Sequence, residues 1–167
     1  VRRRAFDRDG GAQARAMARI EAFSRANPDW HLRVYRTPAG LRVLAMHATF
    51  APTDERVDGF FRALAVDGLY ASMCRVQQCF RARLSPKPWR IGMKARIRPP
   101  GAAWSRSQAD LPARLAWIAE YERRSAGYAA CRYLCSLGRV SQVDPRADAV
   151  RALHDEGTRA GSGLPLA

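Results

Sequence analysis

Two sets of side chains in this sequence could do chemistry: a pair of carboxylates near its start and rows of arginine and lysine near its middle. Asp7 and Asp9 stand two residues apart ahead of Gly10 and Gly11. On an extended segment that spacing points both carboxylates to one side, where they could share a hard divalent cation, Mg or Mn, that bridges to a substrate phosphate. The plainer alternative is a solvated turn, since acidic residues beside glycines commonly form one. The basic rows lie in CRVQQCFRARLSPKPWRIGMKARIR, residues 74–98. Phe80, Ala82 and Leu84 alternate with Arg81 and Arg83. Beyond Lys87 and its flanking prolines, Trp89, Ile91, Met93, Ala95 and Ile97 take one side, and Arg90, Lys94, Arg96 and Arg98 the other. A period of two with one apolar and one cationic side predicts two half-buried strands. Same-face neighbours on a strand stand about 6.8 Å apart, a spacing that suits successive phosphates.

A third candidate is the turn in YRTPAGLR, residues 35–42. Gly40 would allow a backbone conformation closed to other residues and leave amides open to an anion, with Tyr35, Thr37 and Arg42 around it. An ordinary hairpin loop explains the same residues. Tyr35 is also the candidate for stacking on a nucleic-acid base, because Trp89 falls on the apolar side of its run and reads as core.

The remaining polar residues point away from other chemistries. Cys74/Cys79 and Cys131/Cys135 have Cys-x4-Cys and Cys-x3-Cys spacing, neither of which wraps one tetrahedral ion, so free, buried thiols are expected and zinc is not. The three histidines, His31, His47 and His154, are dispersed and accompany no nucleophile motif. There is no dinucleotide fingerprint and no Walker-type phosphate loop.

The elements that would position these residues follow from periodicity. Ala16, Ile20 and Phe23 mark a helix over about 12–26, closed by Asn27-Pro28. Strands are expected at 31–37 and 41–47, joined by Pro38-Ala39-Gly40. Thr53 caps a helix whose stripe is Val57, Phe60, Phe61 and Leu64. A short helix over 69–78 should bury Leu69, Met73 and Val76. The basic strand pair follows, and Pro-Pro-Gly near residue 100 reads as a loop. Then come a helix beginning with Ser107 and Asp110 and closed by Gly127, and a strand over 128–137. Asp144-Pro145 opens a last helix. The order α-β-β-α-α-β-β-α-β predicts an α+β fold: one mainly antiparallel sheet with helices packed on one face, whose free face the basic rows would line. Residues 1–140 form the domain, and 141–167 a short helix and a disordered tail.

Composition limits what the chain can be. At 167 residues it suits one domain. The formal charge is +14, and all but two of the 29 basic residues are arginines. Such a surface attracts polyanions in a salt-dependent way, so nucleic acid or a nucleotide is the expected partner. No run is long and apolar enough to span a membrane, and no hydrophobic segment follows the basic start, so no membrane partner and a reducing cytoplasm are expected.

Taken together, these motifs resemble the archaeo-eukaryotic primase superfamily, in particular its primase-polymerase branch. Asp7-Arg8-Asp9 ahead of a helix is similar to that family's metal pair, and TPAGLR occupies the place of its Ser-x-Gly-x-His-like turn. LYASMCRVQQCFRARLSPK, residues 69–87, is similar to its tyrosine-led stretch ending in Ser-x-Lys. The resemblance covers about residues 5–90. It implies Mg or Mn at Asp7 and Asp9, with Arg42, Arg81, Arg83 and Lys87 on triphosphate or template. Arg42 stands where the family's turn has a histidine, and the third metal ligand has only Asp67 as a candidate. Three functions therefore stand side by side: phosphate binding without chemistry, active nucleotidyl transfer, and a protein-interaction domain.

Overall fold

The hairpin around Pro38 and Ala39 supplies the centre of the fold. In the computed structural model, which describes residues 10–94 and 105–167, β1 (His31–Thr37) pairs antiparallel with β2 (Gly40–Ala45), in a register running from Leu32↔Ala45 to Thr37↔Gly40. The connection is thus two residues long. β1 is also the middle strand of the sheet. Its other edge takes β3 (Arg132–Gly138), again antiparallel, with an irregularity between Val34 and Tyr35. Five α-helices complete the described residues: α1 (Gly10–Ala26), α2 (Glu55–Ala63), α3 (Gly68–Val76), α4 (Pro112–Ser125) and α5 (Pro145–Thr158). The fold is α+β with one antiparallel sheet, and apart from the expected basic strand pair its elements follow the order expected from sequence.

Strand alternation assigns the two sides of the sheet. Leu32 and Val34 of β1 are buried with Ile20 of α1, and Phe23, Val43, Phe60 and Leu137 pack against them. This is the main core, and removing each such side chain from water contributes roughly 1.5–3 kcal/mol. Tyr35 points the other way and is buried with Cys131 and Ala160. α5 covers that second side, where Arg33 and Arg42 reach Asp155 and His154. Helices therefore lie on both sides of the sheet, α1 and α2 on one and α5 on the other.

Local chemistry explains most helix starts. Asp54, one residue after the expected Thr53, caps α2 by accepting from the Arg56 amide at 2.9 Å. Asp144 accepts from the Arg146 and Ala147 amides, with Pro145 at the first helical position. In α3 the amphipathic reading needs correction. Cys74 is buried, but Leu69 and Val76 are 71% and 81% exposed, with no described element packed along that stripe.

Two larger expectations are overturned. Among the described residues the basic strand pair does not form: Phe80–Leu84 carries no regular structure, Pro88–Arg90 is a single 3-10 turn, and no described residue between 77 and 94 belongs to a strand. Alternation needs a partner strand to hold it, and no described residue of this segment pairs along the outer edge of β2 or of β3. The segment is instead braced from both sides. Leu84 packs on α5, where a Cβ at Gly157 would lie 3.3 Å from its Cδ1. Ile91 and Met93 are buried against Trp117 and Tyr121 of α4.

The tail after α5 is ordered rather than disordered. Ala129 and Leu166 form a parallel bridge, the Ala167 amide donates to the Ala129 carbonyl at 3.1 Å, and Ala160 and Ala167 are buried. Small side chains suffice there because backbone hydrogen bonds, rather than bulk, hold the segment. No helix among the described residues is long and apolar enough to cross a membrane.

Candidate functional site

At the turn end of the sheet an open pocket of about 200 Å³ is lined by Thr37, Pro38 and Ala39 of the hairpin, Arg42 of β2, and Arg83, Ser85, Lys87 and Arg90 of the braced segment. Ala130 and Ala167 close its floor. Five of the residues singled out from sequence, Thr37, Arg42, Arg83, Lys87 and Arg90, thus meet in one place although they come from separate runs. No acidic side chain is among the described residues that line it. The crowding registers on Lys87. Burial, with the neighbouring Arg90 and Arg83 charges, holds its ammonium below the ordinary lysine value. An anion placed there would offset part of that like-charge repulsion.

Arg42 is fixed by a chain of polar contacts running beneath the pocket. Its Nη2 donates to the Arg83 carbonyl at 3.2 Å, tying β2 to the braced segment. Its Nη1 lies 2.7 Å from His154 Nε2. A guanidinium can only donate, so Nε2 carries the lone pair and the ring proton sits on Nδ1, which donates to Asp155 Oδ1 at 2.9 Å. Asp155 Oδ2 in turn pairs with Arg33 Nη2 at 2.9 Å, and Arg33 Nε donates to the Tyr35 hydroxyl at 2.9 Å. Burial, followed by the Arg42 charge, keeps His154 below its ordinary pKa. Burial pulls the Asp155 carboxyl upward, but hydrogen bonding by His154 and Tyr35 and the Arg33 charge outweigh it and hold the group low. His154 and Asp155 were not legible as site residues. Their partners are far away in sequence, and the only local signal is a His-Asp dipeptide on a helix.

Cys131 Sγ stands 3.9 Å from the same His154 Nε2. A thiol, an imidazole and a carboxylate in series could suggest a nucleophile. The geometry argues against it: Cys131 is fully buried, burial raises its pKa, and Arg42 already occupies the imidazole lone pair.

The remaining candidates fall elsewhere. Tyr35 is fully buried and its ring packs edge-on to that of His154 at 4.6 Å between centroids, so it cannot take a base. Trp89, read as core, is 63% exposed, with Lys87 Nζ 5.0 Å from its ring centroid. Gly40 lies outside the left-handed region, and a Cβ there would meet open space, so the turn does not require glycine. The Thr37 hydroxyl spans its own turn, donating to the Gly40 carbonyl at 3.0 Å. Arg81 is exposed and hydrogen-bonds to Gln77, and Lys94 is exposed away from the pocket lining. Asp7, Asp9, Arg96 and Arg98 lie outside the described residues.

The cysteines are all free, but Cys79 is exposed, and Cys131 and Cys135 join different clusters rather than one strand face. Asp67, the candidate third metal ligand, caps α3, accepting from the Leu69 and Tyr70 amides through Oδ1. Among the described residues no three His, Cys, Asp or Glu side chains cluster as a metal site would. Compared with known proteins, the chain matches no family model, no curated protein and no solved structure.

Proposed function

We propose that this protein binds a phosphate-bearing ligand, a nucleic acid or a nucleotide, in the basic pocket at the hairpin turn, and that binding rather than chemistry is what the pocket performs. The observation that carries this is the convergence of Arg42, Arg83, Lys87 and Arg90 on a cavity with no acidic side chain in its lining. Guanidinium groups match phosphate oxygens in fork geometry, and a partly desolvated lysine adds a compact charge beside them. Arg42 is preorganised by His154 and the Arg83 carbonyl, so less side-chain freedom is lost on binding. The overall charge of +14 would speed encounter with any polyanion.

Fluorescence anisotropy with a labelled oligonucleotide tests this reading. Affinity should fall steeply between about 50 and 200 mM salt. The Arg83→Ala/Lys87→Ala variant should bind at least about tenfold more weakly, with a log–log salt slope shallower by about two. Both side chains lie at the pocket surface, so circular dichroism should be unchanged. An unaltered affinity and slope would refute the assignment.

The primase-like version of this reading would add Mg or Mn at Asp7 and Asp9. Those residues lie outside the described part, and the Asp67 carboxylate is committed to a helix cap through Oδ1. Asp67, the candidate for the third position, is thus engaged at the start of α3, and the phosphate-binding reading stands on the pocket residues alone.

A further inference from the structure

One exposed aromatic side chain neighbours the pocket-lining residues and is not accounted for by the core. Trp89 lies in sequence between Lys87 and Arg90, both of which line the pocket, and 63% of its surface is exposed. Its backbone is rigid. Pro88 fixes the start of the 3-10 turn, the Arg90 amide donates to the Lys87 carbonyl at 2.8 Å, and the Met93 amide donates to the Pro88 carbonyl at 3.0 Å. On one side the Tyr121 hydroxyl donates to the Pro86 carbonyl at 2.7 Å, and on the other Ile91 is buried against α4. An exposed indole is therefore held by a braced loop, beside the ammonium of the pocket-lining Lys87.

Building on the phosphate-binding reading, we propose that the pocket recognises an unpaired nucleotide unit: its phosphate lies against Arg83, Lys87 and Arg90, and its base covers the exposed ring of Trp89. Lys87 links the two halves. Its Nζ is 5.0 Å from the Trp89 ring centroid, and one further charge-assisted contact of about 2.8 Å places a phosphate oxygen within about 8 Å of that centroid. That separation is spanned by the sugar between a phosphate and its own base. Base–aromatic stacking is tolerant of sequence but requires a free base face. A duplex offers its phosphates and hides its bases, so the ligand is a single strand or a free nucleotide.

Four probes of equal label separate the alternatives: a thymidine oligonucleotide, the same length of abasic strand, a duplex, and a nucleoside triphosphate competed against inorganic pyrophosphate. The thymidine strand should bind about tenfold more tightly than the abasic one, and Trp89→Ala should erase that difference while leaving abasic binding intact. Trp89→Phe should keep most of it. If the triphosphate outcompetes pyrophosphate but the strand gains nothing over one nucleotide, the source is a free nucleotide. If the strand gains with length, it is single-stranded nucleic acid. Both results support the inference. Equal binding of thymidine and abasic strands, or Trp89→Ala behaving as wild type while Arg83→Ala/Lys87→Ala is weakened, overturns the base contact and leaves the phosphate site standing. Absence of binding to every probe overturns both.

Discussion

Alanine at Gly138 is expected to be the most damaging single substitution in the described chain, lowering stability by about 3–4 kcal/mol. Gly138 ends β3 with φ +75°, in the left-handed region, where a Cβ is strained in itself. The added atom would also sit 1.9 Å from the Trp30 carbonyl oxygen, which is backbone and cannot rotate aside. That carbonyl already accepts from the Arg139 amide at 3.2 Å, so moving it breaks the closure of β3 on the chain before β1. It would also drag the Trp30 ring, which packs within 4.5 to 5.2 Å of His47, Phe23, Phe50 and Phe60 by centroid. In a chain of this length the loss corresponds to a fall of roughly 10 °C in melting temperature. Gly163→Ala is the control. It has φ +73° and open space around a Cβ, so it should lose only the backbone strain, about 1 kcal/mol. A Gly138→Ala protein that melts no lower than the Gly163→Ala protein would show that the close approach to Trp30 is not there.

The second large effect is expected at Asp155. Its carboxylate holds Arg33 through Oδ2 and orients His154 through Oδ1, and His154 in turn accepts from Arg42 of the pocket. Asp155→Ala leaves the Arg33 charge and the His154 Nδ1 proton without their acceptor on the covered side of the sheet. Breaking a fully buried pair costs about 3–5 kcal/mol, and the 20% exposure of both Arg33 and Asp155 reduces that to about 2–3 kcal/mol. Ligand affinity should fall as well, because Arg42 loses its fixed support, whereas a purely structural role for Asp155 would leave the affinity of the folded fraction unchanged. Thermal melting and anisotropy on the same sample separate the two.

The network also sets a pH dependence. His154 and His47 both have folded pKa values below the ordinary one, in each case chiefly through burial. The folded protein therefore resists protons that the unfolded chain accepts below about pH 6.5. Stability from this source is complete above that pH and is lost as pH falls toward the folded values. The Asp155 contribution persists lower and disappears only below the ordinary carboxylate value of about 3.9. Melting temperature should decline from pH 7 to 5, and less so in His154→Gln, whose amide oxygen can accept from Arg42 without titrating. A melting temperature that is flat over that interval contradicts the buried, neutral state assigned to His154.

Sequence patterns were decisive where one residue type meets a local requirement. The hairpin was readable because apolar residues alternate on both sides of Pro38 and Ala39, and a strand pair needs only that and a turn. Asp144-Pro145 announced α5 because a cap bonds to amides two and three residues away. Residues 80–94 misled for the same reason in reverse. Alternation there is genuine, but a strand exists only if another strand offers its backbone, and alternation cannot report whether one is free. Trp89 and Tyr35 exchanged roles on that account: with no strand to bury its apolar side, Trp89 faces solvent, while Tyr35 sits on the central strand under α5.

What the sequence by itself determined is the α+β class, the hairpin and the supply of cations, all of which depend on contacts within a few residues or on composition. Only the tertiary structure decided that Arg42, Arg83, Lys87 and Arg90 share one pocket and that His154, oriented by Asp155, fixes Arg42 from α5. Those are encounters between residues as many as 112 positions apart. They follow from how the helices and loops close over the three strands, and closure is settled by the packing of the whole chain.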